Sequence, residues 1–593
     1  MKNRATLSLA VASIVLFITG SAQGPLSASS VGSAWSSPDS TPVGLATPNI
    51  SNDSIASSSP AVAMSGNKAT AVWSGDTFTL GQTVIQVAYS SDSGATWVTP
   101  TSTPQGANTP NLSGIGAADS AASVAMSGNN AVAVWVFPLG GFDVVQTAQS
   151  SDGGVTWSNP TTTPTVSTPN LSNLAADAQA PQISISGQNV VATWLLDIGG
   201  FDVLQSAYSS DAGVTWSYPT TTPGSSPSLS DSAQSALAPA VAVSGTTVVA
   251  SWYVAATGLV SVARSSDGGA NWTNPTSVPT GAVAPALSVA GQDAALGRVS
   301  VSGSQAVVVW KRSNGTNYVI QTAFSTDSGV TWASPASTPI GTGTPDLSDG
   351  SQDANDVSVS MDGDNVVAVW TRSNGVGLVT QSASSRDGGV TWTSPSATPQ
   401  GAFTPDLSGA SDLSVSPIVA VSGSKVTAVW QVVISFSSAI VQSVNSNDGG
   451  VTWSNPLSTP TGNSPNISAS GSFGGDPTAL AVSGSRAIAM WTYFTGSTLI
   501  VQAARAVAPT SVSGAAPYIP LQAFPTPTKF TAQQCADFAV ANSATLDLDW
   551  DSLSGRAGEG WGPSYAQFPN DNTGGWVCTR QPAYSSTGSI IFL

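Results

Sequence analysis

Hydrophobic and polar positions alternate along most of this chain in short runs, and the runs come in pairs. The stretches "SVAMSGNNAVAVW", ending at Trp135, and "VSVSGSQAVVVW", ending at Trp310, set β-branched and small residues on either side of a Ser-Gly turn. Period-two runs joined by such a turn predict a β-hairpin. The closing tryptophan recurs as Trp73, Trp135, Trp194, Trp252, Trp310, Trp370, Trp430 and Trp491. A third run follows each hairpin, as in "VIQTAFS" at 319–325. A polar motif such as "SSDGGVTW" at 150–157 then turns the chain into a fourth run that begins at its own Trp. Between residues 34 and 505 no segment carries a helical period.

The aspartates of the motif are Asp92, Asp152, Asp211, Asp267, Asp327, Asp387 and Asp448, spaced 56 to 61 residues apart. A four-stranded unit repeated at this interval predicts a β-propeller, in which each sheet buries its faces against its neighbours. The two ends of the array complement each other. The last repeat stops after its third run, "LIVQAARA", while the first is preceded by an orphan fourth run, "SAWSSPDSTP", with Trp35 in the motif-Trp position. The expected fold is therefore all-β: a single eight-bladed β-propeller of four-stranded blades over residues 34–507, closed by the N-terminal strand. A Pro-rich linker at 508–529 then leads to a small C-terminal domain at 530–593.

Aligned, the seven motifs read Ser-x-Asp-x-Gly-x-Thr-Trp, with Asn271 replacing Thr in the fourth. This pattern resembles the Asp-box, the bacterial neuraminidase repeat of sialidase-superfamily propellers, and the resemblance covers residues 34–505. It implies that the motif is a structural turn on the face away from a substrate pocket. It implies no catalytic site. Sialidases grip the sugar carboxylate with three arginines, one of them in an Arg-Ile-Pro motif, and use a Tyr nucleophile activated by Glu together with an Asp acid/base. None of the ten arginines here precedes Ile-Pro, and the one glutamate, Glu559, lies outside the repeats. The familiar catalytic ring also has six blades. The resemblance carries over a blade type and no catalytic residue.

Composition narrows the chemistry further. Charged residues make up 8% of the chain, against about 25% in an average soluble protein. The net charge of −17 becomes −19 if Lys2 and Arg4 leave with a signal peptide, so nucleic acid and anionic membrane surfaces are poor partners. The absence of histidine removes the commonest general base and metal ligand. Residues 1–22 read as a secretory signal, with a basic start, an apolar run from Leu7 to Ile18 and a small-residue cleavage site at Gly20-Ser21-Ala22. A short linker, 23–33, would follow it. Export, to the medium or the cell surface, makes Cys535 and Cys578 a candidate disulfide stapling the C-terminal domain. No later stretch is apolar enough to span a membrane, and a monomer is expected.

Candidate chemistry then rests on the loops leading into each first strand, which would gather at one mouth of the ring. They carry Asp119, Asp177, Asp293, Asp353, Asp412 and Asp476. Such residues could order the loops, act as an acid/base pair on a glycoside, or share a cation such as calcium. Near them lie Arg298, and Lys311, Arg312 and Arg372 from "WKRSNG" and "WTRSNG". Arg298, Arg312, Arg372, Asp293 and Asp353 are thus candidate ligand-binding residues, with the arginines either gripping an anionic sugar or pairing with Asp353 or Asp356. In the C-terminal domain, Asp547, Asp549 and Asp551 imitate the start of a calcium loop, but Ser552 stands where Gly is wanted, and the alternation equally describes a strand. Trp550, Trp561, Tyr565 and Trp576 could stack on a sugar or form a core. The expected role is recognition of a glycan or extracellular protein without catalysis and without a cofactor. The competing expectation is an exo-glycosidase using aspartates at the mouth.

Overall fold

The computed structural model describes residues 34–76, 82–116, 122–165, 167–435, 438–470 and 479–507, together with the backbone of Trp561–Gln567 and Gly574–Arg580. The chain divides into two compact units, Met1–Ala508 and Pro509–Leu593. In the second, Trp561–Gln567 and Gly574–Arg580 pair antiparallel, with Tyr565 opposite Trp576. Cys535 and the segment 546–551 lie outside the described residues, as do the signal peptide and both linkers.

Every regular element among the described residues is a strand. In the first unit the long strands form eight small antiparallel sheets. The first four are Ser57–Ser65, Lys68–Asp76 and Thr83–Ser90; Ser123–Ser127, Asn130–Leu139 and Phe142–Ser150; Ala178–Ser186, Asn189–Ile198 and Phe201–Ser209; and Ala236–Ser244, Thr247–Val254 and Leu259–Ser265. The fifth to seventh are Ala294–Ser302, Gln305–Ser313 and Tyr318–Ser325; Ala354–Asp362, Asn365–Ser373 and Leu378–Ser385; and Ser414–Ser422, Lys425–Ser435 and Ser438–Ser446. The eighth joins Ala479–Ser483, Arg486–Phe494 and Leu499–Val507 to the N-terminal Ala34–Ser36, with Trp35 opposite Ala506.

The middle strands explain how the sheets stack. Ala131 to Trp135 are all essentially inaccessible to solvent, because both faces of the sheet are covered. Alternation sends Ala131, Ala133 and Trp135 towards Val72 and Val87 of the first sheet, while Val132 and Val134 face Ala192 and Trp194 of the third. One face is therefore a large ring flanked by small residues and the other is β-branched, so the faces interlock. The same pairing of faces recurs from sheet to sheet through eight hydrophobic cores. The eighth of these packs Ile488 and Met490 of the last sheet against Ala71 and Trp73 of the first.

Polar links follow the same circuit. At each Ser-Gly hairpin the glycine N–H donates to the serine Oγ of the preceding sheet, as Gly128 does to Ser65 and Gly484 to Ser422. Gly66 donates to Ser483, and all of these bonds are 2.7–2.9 Å long. Between the sixth and seventh sheets the acceptor is the Asp362 carboxylate.

The fourth strand expected in each repeat is much reduced. After the motif the chain makes a single antiparallel bridge, in which Gln149 and Ser158 exchange two bonds of 2.9 Å. Proline then stands three residues beyond each motif Trp, as at Pro100, Pro160 and Pro219, and having no N–H it ends the pairing. The chain crosses to the next sheet, where the Ser102 carbonyl accepts the Trp157 N–H at 2.9 Å. Trp35 makes the equivalent bond to Ser458 at 2.9 Å.

Candidate functional site

The repeated motif forms one turn seven times. In the second copy Asp152 Oδ1 accepts the Ser150 hydroxyl at 2.8 Å and the Thr156 N–H at 2.9 Å, and Oδ2 accepts the Thr156 hydroxyl at 2.6 Å. Ser150 Oγ accepts the Gly154 N–H, and the Trp157 indole donates to the Gly154 carbonyl. Asn271 substitutes for Thr without loss, its amide donating to Asp267 Oδ2 at 2.7 Å. Partial burial pushes the Asp152 carboxyl up, but the bonds from Thr156 and Ser150 outweigh it and hold the pKa below the ordinary carboxylate value. The same balance lowers Asp92, Asp211, Asp267, Asp327 and Asp387. Asp448 accepts the equivalent bonds from Ser446 and Thr452. Each carboxylate is committed within its own turn, and each turn rests on the sheet before it. A Cβ added at Gly154 would lie 2.7 Å from Thr70 Oγ1 and 2.9 Å from Tyr89 Cβ.

Strand direction places these turns and the Ser-Gly hairpins at one end of the sheets. The opposite end carries the hairpins between second and third strands and the connections into first strands, and there the candidate residues are found. They do not all share one face. Lys311 and Arg312 are adjacent on Gln305–Ser313, so they point to opposite faces. Val307 and Val309 pack towards the sixth sheet and Val308 and Trp310 towards the fourth, which puts Lys311 on the first face and Arg312 on the second. Arg312 has its pKa lowered by burial, a shift opposed by the Asp346 charge. Arg372 is tied to the preceding loop, 3.4 Å from Asp349 and 3.0 Å from the Ser351 hydroxyl. Asp353 accepts the Tyr318 N–H at 2.8 Å and, among the described residues, forms no ion pair with an arginine. Alternation therefore separates Arg312 from the other two, whereas Arg298 and Arg372, the latter on the Trp370 face, both line the space between the fifth and sixth sheets.

Arg298 lies opposite Val309 and shares the face towards the sixth sheet. Its side chain is reachable by solvent, yet protein encloses it enough that desolvation lowers its pKa, with the Asp356 charge opposing that shift. Asp356 sits at a bulge in Ala354–Asp362 with φ 49°, a conformation also adopted by Ala180, Ala238 and Ser416 in other first strands. Bulges of this kind re-aim side chains.

What the fold does gather is a cluster around Asp293. The Tyr253 hydroxyl donates to Asp293 Oδ1 at 3.4 Å and the Tyr318 hydroxyl to Oδ2 at 3.5 Å. Lys311 Nζ stands 4.5 Å from the centre of the Tyr318 ring and donates to Asn355 Oδ1 at 3.1 Å. Burial raises the pKa of the Tyr253 hydroxyl, and the negative charge of Asp293 adds to the effect. Both rings are half-buried and Asp293 is exposed, so the cluster opens to solvent across the fourth, fifth and sixth sheets. Sequence reasoning missed both tyrosines. The available signal was departure from the repeat itself: the position after the second-strand Trp holds Ser74, Val136, Leu195, Lys311, Thr371, Gln431 and Thr492 elsewhere.

The remaining loop aspartates serve their own connections. Asp177 Oδ1 accepts the Asp143 N–H at 2.9 Å, and Asp412 Oδ2 accepts the Gly409 N–H at 2.8 Å. Burial raises the Asp143 and Asp412 carboxyls, Asp143 also through the charge of Asp177. No lysine or arginine occurs between Lys68 and Arg264 to offset that pair. Asp119 and Asp476 lie outside the described residues. Among the described residues no three carboxylates gather as a metal site, and no helix is long and apolar enough to cross a membrane.

No protein family and no curated protein matches the chain. Solved structures similar to it include the microbial sialidase Hz136, at 17% identity and a TM-score of 0.32, matched over 55% of this chain and 65% of that one. They also include an ulvan lyase, at 10% identity and a TM-score of 0.38 over 80% and 94% of the two chains. The phage phi92 endosialidase is matched at 10% identity and a TM-score of 0.31, over 92% and 74%. The chain spans less than two thirds of the length of the Hz136 sialidase. None of these structures lends a site residue to this chain.

Proposed function

We propose that residues 34–507 form an eight-bladed Asp-box propeller, closed by the N-terminal strand, that is exported and recognises glycans without catalysis at the end opposite its repeated turns. The ring reading is supported by the core that joins the last sheet to the first and by the bond from Trp35 to Ser458. The recognition reading rests on one observation, the solvent-open group of Tyr253, Tyr318 and Lys311 around Asp293. Aromatic rings with polar tips beside a carboxylate and an ammonium offer a sugar both an apolar face and hydrogen-bonding partners. Residues 530–593, stapled by Cys535–Cys578, are read as a separate module. The test is a glycan array with the purified full chain: selective retention of a defined glycan is expected, and binding to none would refute the reading.

A second reading, an Asp-based glycosidase, is favoured by the Asp143–Asp177 pair, where one carboxyl is held towards its protonated form by burial and, secondarily, by its neighbour's charge. Turnover of fluorogenic glycosides that is lost in Asp143→Asn would establish it.

A further inference from the structure

We infer that the cluster around Asp293 is a binding site for an uncharged saccharide, with Tyr253 as the stacking surface and Asp293 as the acceptor of sugar hydroxyls. The inference rests on the glycan reading above and names its ligand class. Charge balance is its first support. The side chains gathered here are Lys311, Arg298 and Arg312, with the Arg372–Asp349 ion pair, against Asp293, Asp353 and Asp356. An anionic sugar meets no net positive charge here, on a protein of net charge −17. An incoming ammonium meets Lys311 already seated on the Tyr318 ring. A polyol meets neither objection and can use donors and acceptors together.

Geometry is the second support. The two tyrosine hydroxyls stand 3.4 and 3.5 Å from Asp293, well beyond the roughly 2.7–2.8 Å of a good O–H···O bond. An ionised carboxylate offers about four lone-pair sites, so these long contacts leave Asp293 able to take vicinal hydroxyls from a ligand. Lys311 fixes the Tyr318 ring from the side of the sixth sheet, and the Asp353 carboxylate anchors the Tyr318 backbone. The site is thus set in place by groups from two sheets before any ligand arrives, which limits the entropy lost on binding. Arg298, whose guanidinium feels the Asp356 charge, is not assigned to the proposed contact surface.

The experiment is titration calorimetry of the full chain. Neutral gluco-, xylo-, arabino-, galacto- and manno-oligosaccharides are compared with sialylated, uronate and sulfated ones, and with a Lys-rich peptide. A neutral oligosaccharide is expected to bind with an affinity that added salt leaves unchanged. Tyr253→Ala and Asp293→Asn should each weaken it about tenfold or more, while Tyr253→Phe, which keeps the ring, recovers most of the affinity. Asp293→Asn and Tyr253→Phe are near-isosteric, so their thermal midpoints report that the fold is intact. Arg298→Gln should leave the neutral ligand within about threefold. Neutral binding indifferent to Tyr253→Ala and Asp293→Asn would overturn the site but leave glycan recognition standing. Binding confined to acidic glycans and lost in Arg298→Gln would overturn the ligand class, as would binding of the peptide alone. Binding of no glycan would overturn both this inference and the reading beneath it.

Discussion

Trp35→Ala tests whether the N-terminal segment seals the array or merely lies against it. The Trp35 ring is 2% exposed and shares a core with Val429, Val441, Ala487, Ala489 and Trp491. Truncating a buried tryptophan to alanine costs about 3–5 kcal/mol in transfer and cavity energy. The indole N–H of Trp35 has no hydrogen-bond partner among the described residues, so the loss is one of packing, and Trp35→Phe should cost less than Trp35→Ala. Trp157→Ala at an internal seam should cost more, because its indole also donates to the Gly154 carbonyl, adding roughly 1 kcal/mol. The backbone pairing of Ala34–Ser36 with Leu499–Val507 is only three residue pairs long and has little to hold it once the ring is gone. Hydrogen exchange of the peptide spanning Leu499–Val507 is the assay. A loss of about 3 kcal/mol should raise its opening equilibrium by at least about a hundredfold. Unchanged exchange there, with a stability cost below about 0.5 kcal/mol, the range of a surface substitution, would refute the sealing role.

Further outcomes follow from the same geometry. Asp92, Asp152, Asp211, Asp267, Asp327 and Asp387 have depressed folded pKa values, so the stability they contribute is present above the ordinary Asp value of about 4 and is lost as pH falls through the folded values. Acid melts should steepen below about pH 4, and Asp152→Asn, having lost charged acceptor bonds, should lower the midpoint at neutral pH and narrow its gap from wild type in acid. Asp143 behaves in the opposite sense: its raised pKa favours the fold below the ordinary value and loses that contribution as pH rises. Asp143→Asn should therefore raise the thermal midpoint at neutral pH and not in acid. Gly154→Ala, with φ 94° and two contacts under 3.0 Å, should destabilise clearly more than Gly128→Ala, which has φ 60° and open space, where roughly 1 kcal/mol is expected. Non-reducing peptide mapping should recover Cys535 and Cys578 in one linked fragment, and two alkylatable thiols would exclude the bridge.

The all-β character of the chain and its small antiparallel sheets were legible because alternation around Ser-Gly is a local signal repeated many times. The fourth strand was overread. The Pro three residues past each motif Trp was visible in the sequence, and its missing N–H limits the pairing to one bridge. The candidate site was legible only in part. Arg298, Arg312 and Arg372 look like one patch when read as neighbouring loops, but a single-residue offset from Lys311 turns Arg312 to the opposite face, leaving Arg298 and Arg372 on the other. Asp293 was named, whereas Tyr253 and Tyr318 were not. They lie 65 residues apart and meet at Asp293 only because consecutive sheets are packed side by side.

The bonds between Ser-Gly hairpins have a sense of direction. Each glycine donates to the serine, or to Asp362, of the sheet before it, and never the reverse. A contact of this head-to-tail kind has no internal stop: its repetition ends only when the last unit meets the first, and otherwise it propagates from molecule to molecule. If the sheets form the ring proposed above, excising one repeat would leave the turn per sheet unchanged while removing a unit needed to close it. One serine hydroxyl, one glycine N–H and a Trp-sized socket would then face outward at the two ends of the same chain. Such a variant should string into filaments rather than settle as a smaller ring. On the eight-bladed reading proposed above, the number of repeats decides whether this head-to-tail contact ends within one chain or propagates.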